Sequence, residues 1–395
     1  MTETASPGPA RSPLARLLLV LAPLALMLGS FVWIAALDPL RGMGNGAPPV
    51  EALTVERTIL DDSGIALRVR AGGSDPVSVA QVMVDDAYWA FAQDPAGPIA
   101  RGDAVWVRLS YPWVLGEAHR VTLVTGAGTT FEHEIAVAVP TSQGSAGQLR
   151  LQALVGAIVG LLPVGLGLLF YPALRGVGRE GMNALLALTI GLLVFLLVDG
   201  SGEAVELAAS SAAIFQGSAM VWLVALGTFL LLMAVGRWRG TPAGVALAFH
   251  IALGIGLHNF GEGLAIGAAF AAGLAGLGTF LVLGFALHNV TEGIGIAAPI
   301  LRARPPLWIF PALTLLAGGP AILGMWAGSL AHAPQWSALA LAVGTGAILQ
   351  VIVEVGAYLI RSNGGQRDTL LSPSVMAGFL GGLAFMYATA ALIKI

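Results

Sequence analysis

The word His-Asn-x-x-Glu-Gly occurs twice in the 395-residue chain. It stands in Leu257-His258-Asn259-Phe260-Gly261-Glu262-Gly263 and again, 30 residues on, in Leu287-His288-Asn289-Val290-Thr291-Glu292-Gly293. On a helix, residues i and i+4 stack on one face about 6 Å apart. His258 is therefore expected over Glu262, and His288 over Glu292. If the two faces meet, two imidazoles and two carboxylates converge. Mixed nitrogen and oxygen ligation without sulfur suits Zn²⁺, and also Fe²⁺, Mn²⁺, Co²⁺ or Ni²⁺. Two ionised carboxylates and one divalent cation sum to zero charge, which makes such a group tolerable in apolar surroundings. Asn259 and Asn289, about 100° round from the histidines, could offer carbonyl oxygens to a passing ion. One His-x-x-x-Glu pair would serve equally as buried glue; its duplication on neighbouring helices points to a metal site.

The elements that position these residues are apolar. Hydrophobic residues make up 56% of the chain and charged ones 10%, with mean hydropathy +0.83. Soluble domains carry about 25% charged residues, so an ordinary soluble enzyme is excluded. At about 20 apolar residues per crossing, the chain reads as a polytopic membrane protein. The net charge of −3 leaves no basic surface for nucleic acid. Cysteine is absent, which removes disulfides, thiolate ligands and cysteine nucleophiles.

Charge divides the chain further. Twelve of the 22 acidic residues lie between Glu51 and Glu134, a stretch too polar for a bilayer. An uncharged run, Leu17 to Leu37, precedes it, with Arg11 and Arg16 before and Asp38 after. That order predicts a cytoplasmic tail (1–16), a membrane anchor (17–37) and an exported region (40–147). A signal peptide cleaved near Ile34-Ala35-Ala36 is the competing reading; the run is long for one. Within the exported region GIALRVRA, VSVAQVMV, AVWVRLSY and HRVTLVTG read as strands between Gly, Pro and Asp clusters. They predict a small β-sandwich of immunoglobulin-like type. Its His119 and His133 lack ligand-spaced partners and read as ordinary surface histidines.

From residue 149 to 395 the pattern is eight apolar helices, near 149–171, 182–204, 218–236, 244–271, 277–300, 307–330, 335–360 and 373–393. Arg175/Arg179, Arg237/Arg239, Arg302/Arg304 and Arg361/Arg367 fall in the first, third, fifth and seventh connections, and the others carry no arginine. The positive-inside rule then puts the odd connections in the cytoplasm and both ends of the core outside. Arg150 and Lys394, at those outer ends, count slightly against it. The duplicated word falls on the fourth and fifth spans.

Other acidic residues sit within this apolar region. Asp199, Glu203 and Glu206, at i, i+4 and i+7 of the second span, read as an entrance funnel for cations or as a solvated helix end. Asp199 is the deeper. His250, two turns before His258, reads as a packing residue ahead of a relay, and Gln350 lies one turn before Glu354 as a candidate partner. His332 falls in the sixth connection and reads as exposed. Gly261, Gly263 and Gly293 thin the two motif helices for close approach.

LHNFGEGLAIGAAF and LHNVTEGIGIAAPI resemble the paired metal-binding motifs of the ZIP (Zrt/Irt-like) divalent metal transporters. The resemblance covers about 149–395 and implies an eight-helix core with both ends outside. It also implies a transport site at the matching His and Glu positions and movement of metal toward the cytoplasm. GTGAILQVIVEVG in the seventh span is similar to the family's pattern, with Glu354 at its acidic position. The family often has a second metal position, which uses an acidic residue where this chain has Asn289 and a Glu before Pro where it has Gly319. One dominant site is therefore expected. Arg237-Trp238-Arg239-Gly240 carries no histidine cluster, and the anchor and β domain have no counterpart in the family's usual core.

The expectation is thus a mainly α protein of the cell (inner) membrane. An anchor and an extracytoplasmic β-sandwich precede an eight-helix core that carries divalent transition metal, Zn²⁺ first. The metal is cargo, with no organic cofactor, no enzymatic activity and no nucleotide-binding loop. An intramembrane metal-dependent enzyme would need an open coordination position and a separate base; a metal-sensing receptor would need more cytoplasmic chain than the short connections supply. A homodimer and a partner for the exported domain are left open.

Overall fold

A computed structural model describes residues 13–37, 50–141, 144–215, 217–271, 275–330 and 333–393. The chain forms two compact units, Met1–Val50 and Glu51–Ile395. In the first, one helix runs from Pro13 to Leu37. Residues 1–12 of the expected tail, the 38–49 linker, His332 and Lys394 lie outside the described residues; residues 13–16 of that tail belong to the helix.

The second unit opens with eight strands: β1 (Leu53–Asp61), β2 (Gly64–Ala71), β3 (Val79–Val84), β4 (Ala87–Trp89), β5 (Phe91–Asp94), β6 (Ala104–Leu109), β7 (His119–Thr125) and β8 (Thr130–Ile135). They make two antiparallel four-stranded sheets, in the orders β1-β2-β6-β5 and β4-β3-β7-β8. Leu67, Val69 and Val107 of one sheet and Val82, Val121 and Leu123 of the other share a core. The four strands expected from alternation are β2, β3, β6 and β7, the inner pair of each sheet. The outer strands β1, β4, β5 and β8 are short or half-polar, so alternation alone does not mark them. Asp85 and Asp86, both at positive φ, form the tight β3–β4 turn that the twist of a hairpin favours.

Eight helices among the described residues are long and apolar enough to cross a membrane: Ala146–Leu174, Arg179–Ala209, Gly217–Arg237, Gly244–Ala271, Leu281–Ile300, Ile309–Leu330, Pro334–Ser362 and Pro373–Ala391. These are the first to eighth spans below. Expected boundaries hold to within a few residues, and the chain is a multi-pass membrane protein by this architecture. The fourth span packs on the sixth and seventh, and the second on the seventh and eighth; the first packs on the fifth.

Two spans are irregular, and proline is the cause in both. Pro163 has no N–H to give Val159 four residues earlier. The first span answers with a π turn, Ala157–Leu161. Pro320 interrupts the sixth span between Ile309–Gly318 and Pro320–Leu330. A break of this kind leaves backbone carbonyls for other donors.

The β region is seated on the first end of the helical core. Glu56, 3% exposed, receives Arg70 Nε at 2.5 Å and Gln335 Nε2, from the start of the seventh span, at 2.8 Å. Arg57 Nη2 donates to the Leu330 carbonyl at 2.8 Å, and the Arg70 guanidinium lies 5.5 Å from the Phe215 ring centroid, just ahead of the third span.

Candidate metal centre

Glu262 on the fourth span and His288 on the fifth are buried, and His258 on the fourth is partly buried. Their donor atoms lie within 4.8 Å of one another. His258 Nε2 is 3.2 Å from Glu262 Oε1, the stacking that the i, i+4 spacing predicts. His288 departs from its predicted partner. Its Nε2 reaches across the helix pair to the same Glu262 Oε1, at 2.7 Å. Both Glu292 oxygens are buried without a hydrogen bond, and Glu292 stands outside the three-residue set. Glu262 is therefore the hub: its second oxygen accepts Asn289 Nδ2 at 3.2 Å.

The two motif asparagines are oriented by the proline irregularities. Asn289 Nδ2 donates to the Val159 carbonyl at 2.9 Å, the group whose helical donor Pro163 removes. Asn259 Nδ2 donates to the Ala317 carbonyl at 3.0 Å, beside the Pro320 break. With both NH₂ groups committed, Asn259 Oδ1 and Asn289 Oδ1 are left buried and unpartnered, as are His288 Nδ1 and the Glu292 carboxylate. Buried acceptors of this kind cost free energy unless something satisfies them. The donor set, with imidazole nitrogens, carboxylate and amide oxygens and no sulfur, suits a divalent transition metal.

The glycine that ends each motif explains how the helices come this close. A Cβ on Gly263 would collide with the Ala321 carbonyl of the sixth span, and one on Gly293 with the Val164 carbonyl of the first. Each motif thus uses Asn and Gly to dock on a broken neighbour, and His and Glu to face the centre.

Neither a protein-family model nor a curated protein matches the chain.

A small pocket adjoins the centre. It is lined by Asp199, Glu203, His258, Glu262, Phe285 and Thr345, among others. Asp199 and Glu203 therefore share one space with the site, and Glu206 does not line it. His250 has the packing role: its ring nitrogen Nε2 is 2.9 Å from the Leu232 carbonyl. Glu354, fully buried, pairs with Arg237 Nη2 at 3.2 Å, and Gln350, one turn earlier on the same helix, is also fully buried. Arg237 was legible only as a topology charge, because its partner lies 117 residues away. The prolines in two apolar runs were the available signal for the Val159 and Ala317 carbonyls.

Of the β-domain histidines, His119 is buried rather than at the surface, and His133 is half-buried. His119 is 4% exposed, with Nδ1 2.8 Å from Asp85 Oδ2 and Tyr111 OH donating to the same oxygen at 3.0 Å. Burial works against ionisation of Asp85, but the Arg120 backbone N–H, His119 and Tyr111 together hold its carboxyl below the ordinary range. His133 Nε2 lies 2.8 Å from Thr58 Oγ1, and burial pushes the His133 imidazole below its ordinary value.

Proposed function

We propose that the chain is a membrane carrier for divalent transition-metal ions, Zn²⁺ first, with Fe²⁺, Mn²⁺, Co²⁺, Ni²⁺ and Cd²⁺ as further candidates. Its core resembles that of the ZIP transporters. The observation that carries this reading is the convergence of His258 and His288, from two adjacent spans, on the single oxygen Glu262 Oε1. Around it lie orphaned oxygens of Asn259, Asn289 and Glu292. A merely structural His–Glu pair would be expected to satisfy its neighbours; this group leaves acceptors that a cation would complete. The pocket joining Asp199 and Glu203 to the site supports an acidic approach route that concentrates cations.

The four arginine pairs favour cytoplasmic odd connections, an extracytoplasmic β domain and transport toward the cytoplasm of the cell (inner) membrane. The strand orders β1-β2-β6-β5 and β4-β3-β7-β8 support the immunoglobulin-like reading of that domain.

Purified protein in liposomes should take up radioactive Zn²⁺, with the other divalent ions competing. His258→Ala should lose nearly all of the uptake while remaining folded. Normal uptake by that variant would overturn the assignment. A reporter active only outside the cytoplasm should work at Gly144 and fail at Gly240; activity at Gly240 would reverse the direction.

A further inference from the structure

A second polar group lies deeper in the core. The third span leaves the β-domain end at Gly217 and runs 21 residues to Arg237, about 30 Å at the helical rise. The Arg237–Glu354 pair is therefore at the far end from the β domain. The seventh span links it to the metal centre. Gly344 of that span lies against His258, and Gln350 against Gly254, one turn before His258. Glu354 follows one turn later.

The pairing there is incomplete. Glu354 is 0% exposed, yet only Oε1 meets Arg237, and Oε2 is without a partner. Both amide atoms of Gln350 are likewise buried without a partner. An arginine that existed to neutralise a buried carboxylate would be expected to take both oxygens, as its planar fork allows. Arg237 instead ends its helix with its side chain 44% exposed. The carboxylate is fixed in the interior and its counter-charge hangs on a long tether that reaches water.

We propose that Glu354 and Gln350 form a second divalent-cation station, one to two helical turns beyond the His258/Glu262/His288 centre, and that the Arg237 guanidinium occupies it as a tethered stand-in for the cation. The proposal rests on the carrier reading. A divalent ion brings twice the charge of the guanidinium and accepts Glu354 Oε2 and Gln350 Oε1 as oxygen ligands. It displaces Arg237 toward water, and Arg237 returns when the ion leaves.

The test counts bound Zn²⁺ per chain, by equilibrium dialysis and elemental analysis, on folded full-length protein. His258→Ala/His288→Ala empties the first centre and serves as the parent. Adding Arg237→Gln should raise bound Zn²⁺ by about one ion, and Glu354→Gln on top should remove it again. Gln350→Glu in the same parent leaves Arg237 in place and adds a carboxylate; it too should gain an ion that Glu354→Gln removes. If Arg237→Gln does not fold, Gln350→Glu decides. No added ion in the folded variants would overturn the station, and an ion lost on Glu354→Gln from the unaltered parent would overturn the stand-in role of Arg237. Absence of Zn²⁺ uptake into liposomes by the unaltered protein would instead overturn the carrier reading.

Discussion

Asn259 and Asn289 hold equivalent stations in two different helix pairs. Asn259 binds the Ala317 carbonyl of the sixth span, and Gly263 rests on Ala321, four residues on. Asn289 binds the Val159 carbonyl of the first span, and Gly293 rests on Val164, five residues on. The extra residue is the one that the π turn inserts. The repeated word is thus a docking device as well as a ligand set.

Glu262 and Glu292 should separate stability from binding. Glu262→Gln places an amide where two imidazoles and Asn289 need an acceptor. It should cost about 1–3 kcal/mol and abolish metal uptake. Glu292 has no hydrogen bond to lose, so Glu292→Gln should change stability by less than about 1 kcal/mol while still losing most uptake. Thermal unfolding in detergent and liposome uptake read the two effects; equal destabilisation by both variants would contradict the hub role of Glu262.

Asn289→Asp bears on the second metal position. The change removes the Nδ2 donor to Val159 and Glu262 and sets a carboxylate against both acceptors. Without metal the variant should be destabilised by roughly 1–3 kcal/mol. Added Zn²⁺ should recover that loss, and elemental analysis should find a second ion or altered selectivity. An unchanged melting curve with and without Zn²⁺ would rule this out.

The motif glycines should resist a single methyl. Gly263→Ala and Gly293→Ala each drive a Cβ into a neighbouring backbone carbonyl; overpacking of this kind costs about 1–3 kcal/mol, occasionally more. Gly356→Ala and Gly381→Ala meet nothing within 4 Å and should be neutral or stabilising by about 0.5–1 kcal/mol. Melting temperatures of the four purified variants make the comparison; equal effects at all four positions would refute the close-approach argument.

His133 should give the β domain a pH dependence. Burial lowers its pKa from the ordinary 6.5, so between the two values the unfolded chain binds more protons than the folded one. Stability contributed by the neutral ring is then complete above pH 6.5 and lost as pH falls below it toward the folded pKa. His133→Gln, still able to bond Thr58, should flatten that part of the profile. A thermal-shift series from pH 7.5 to 5 that is identical in both proteins would sink this assignment.

The sequence by itself determined the eight spans, the inner strands of both sheets and the His258–Glu262 pair. Each depends on local periodicity: a long apolar run, an alternation of two, or a step of four along one helix. Tertiary structure decided that His288 turns from Glu292 on its own helix to Glu262 on the next. It also decided that Asn259 spends its amide N–H on the Ala317 carbonyl, near Pro320, and Asn289 on the Val159 carbonyl that Pro163 leaves without its helical donor, and that Arg237 meets Glu354. These contacts join residues far apart in the chain, and no local period carries their register. They are fixed only when glycines such as Gly263 and Gly293 set the distance between helices, because a hydrogen bond gained or lost inside an apolar core depends on tenths of an ångström that spacing along one helix does not encode.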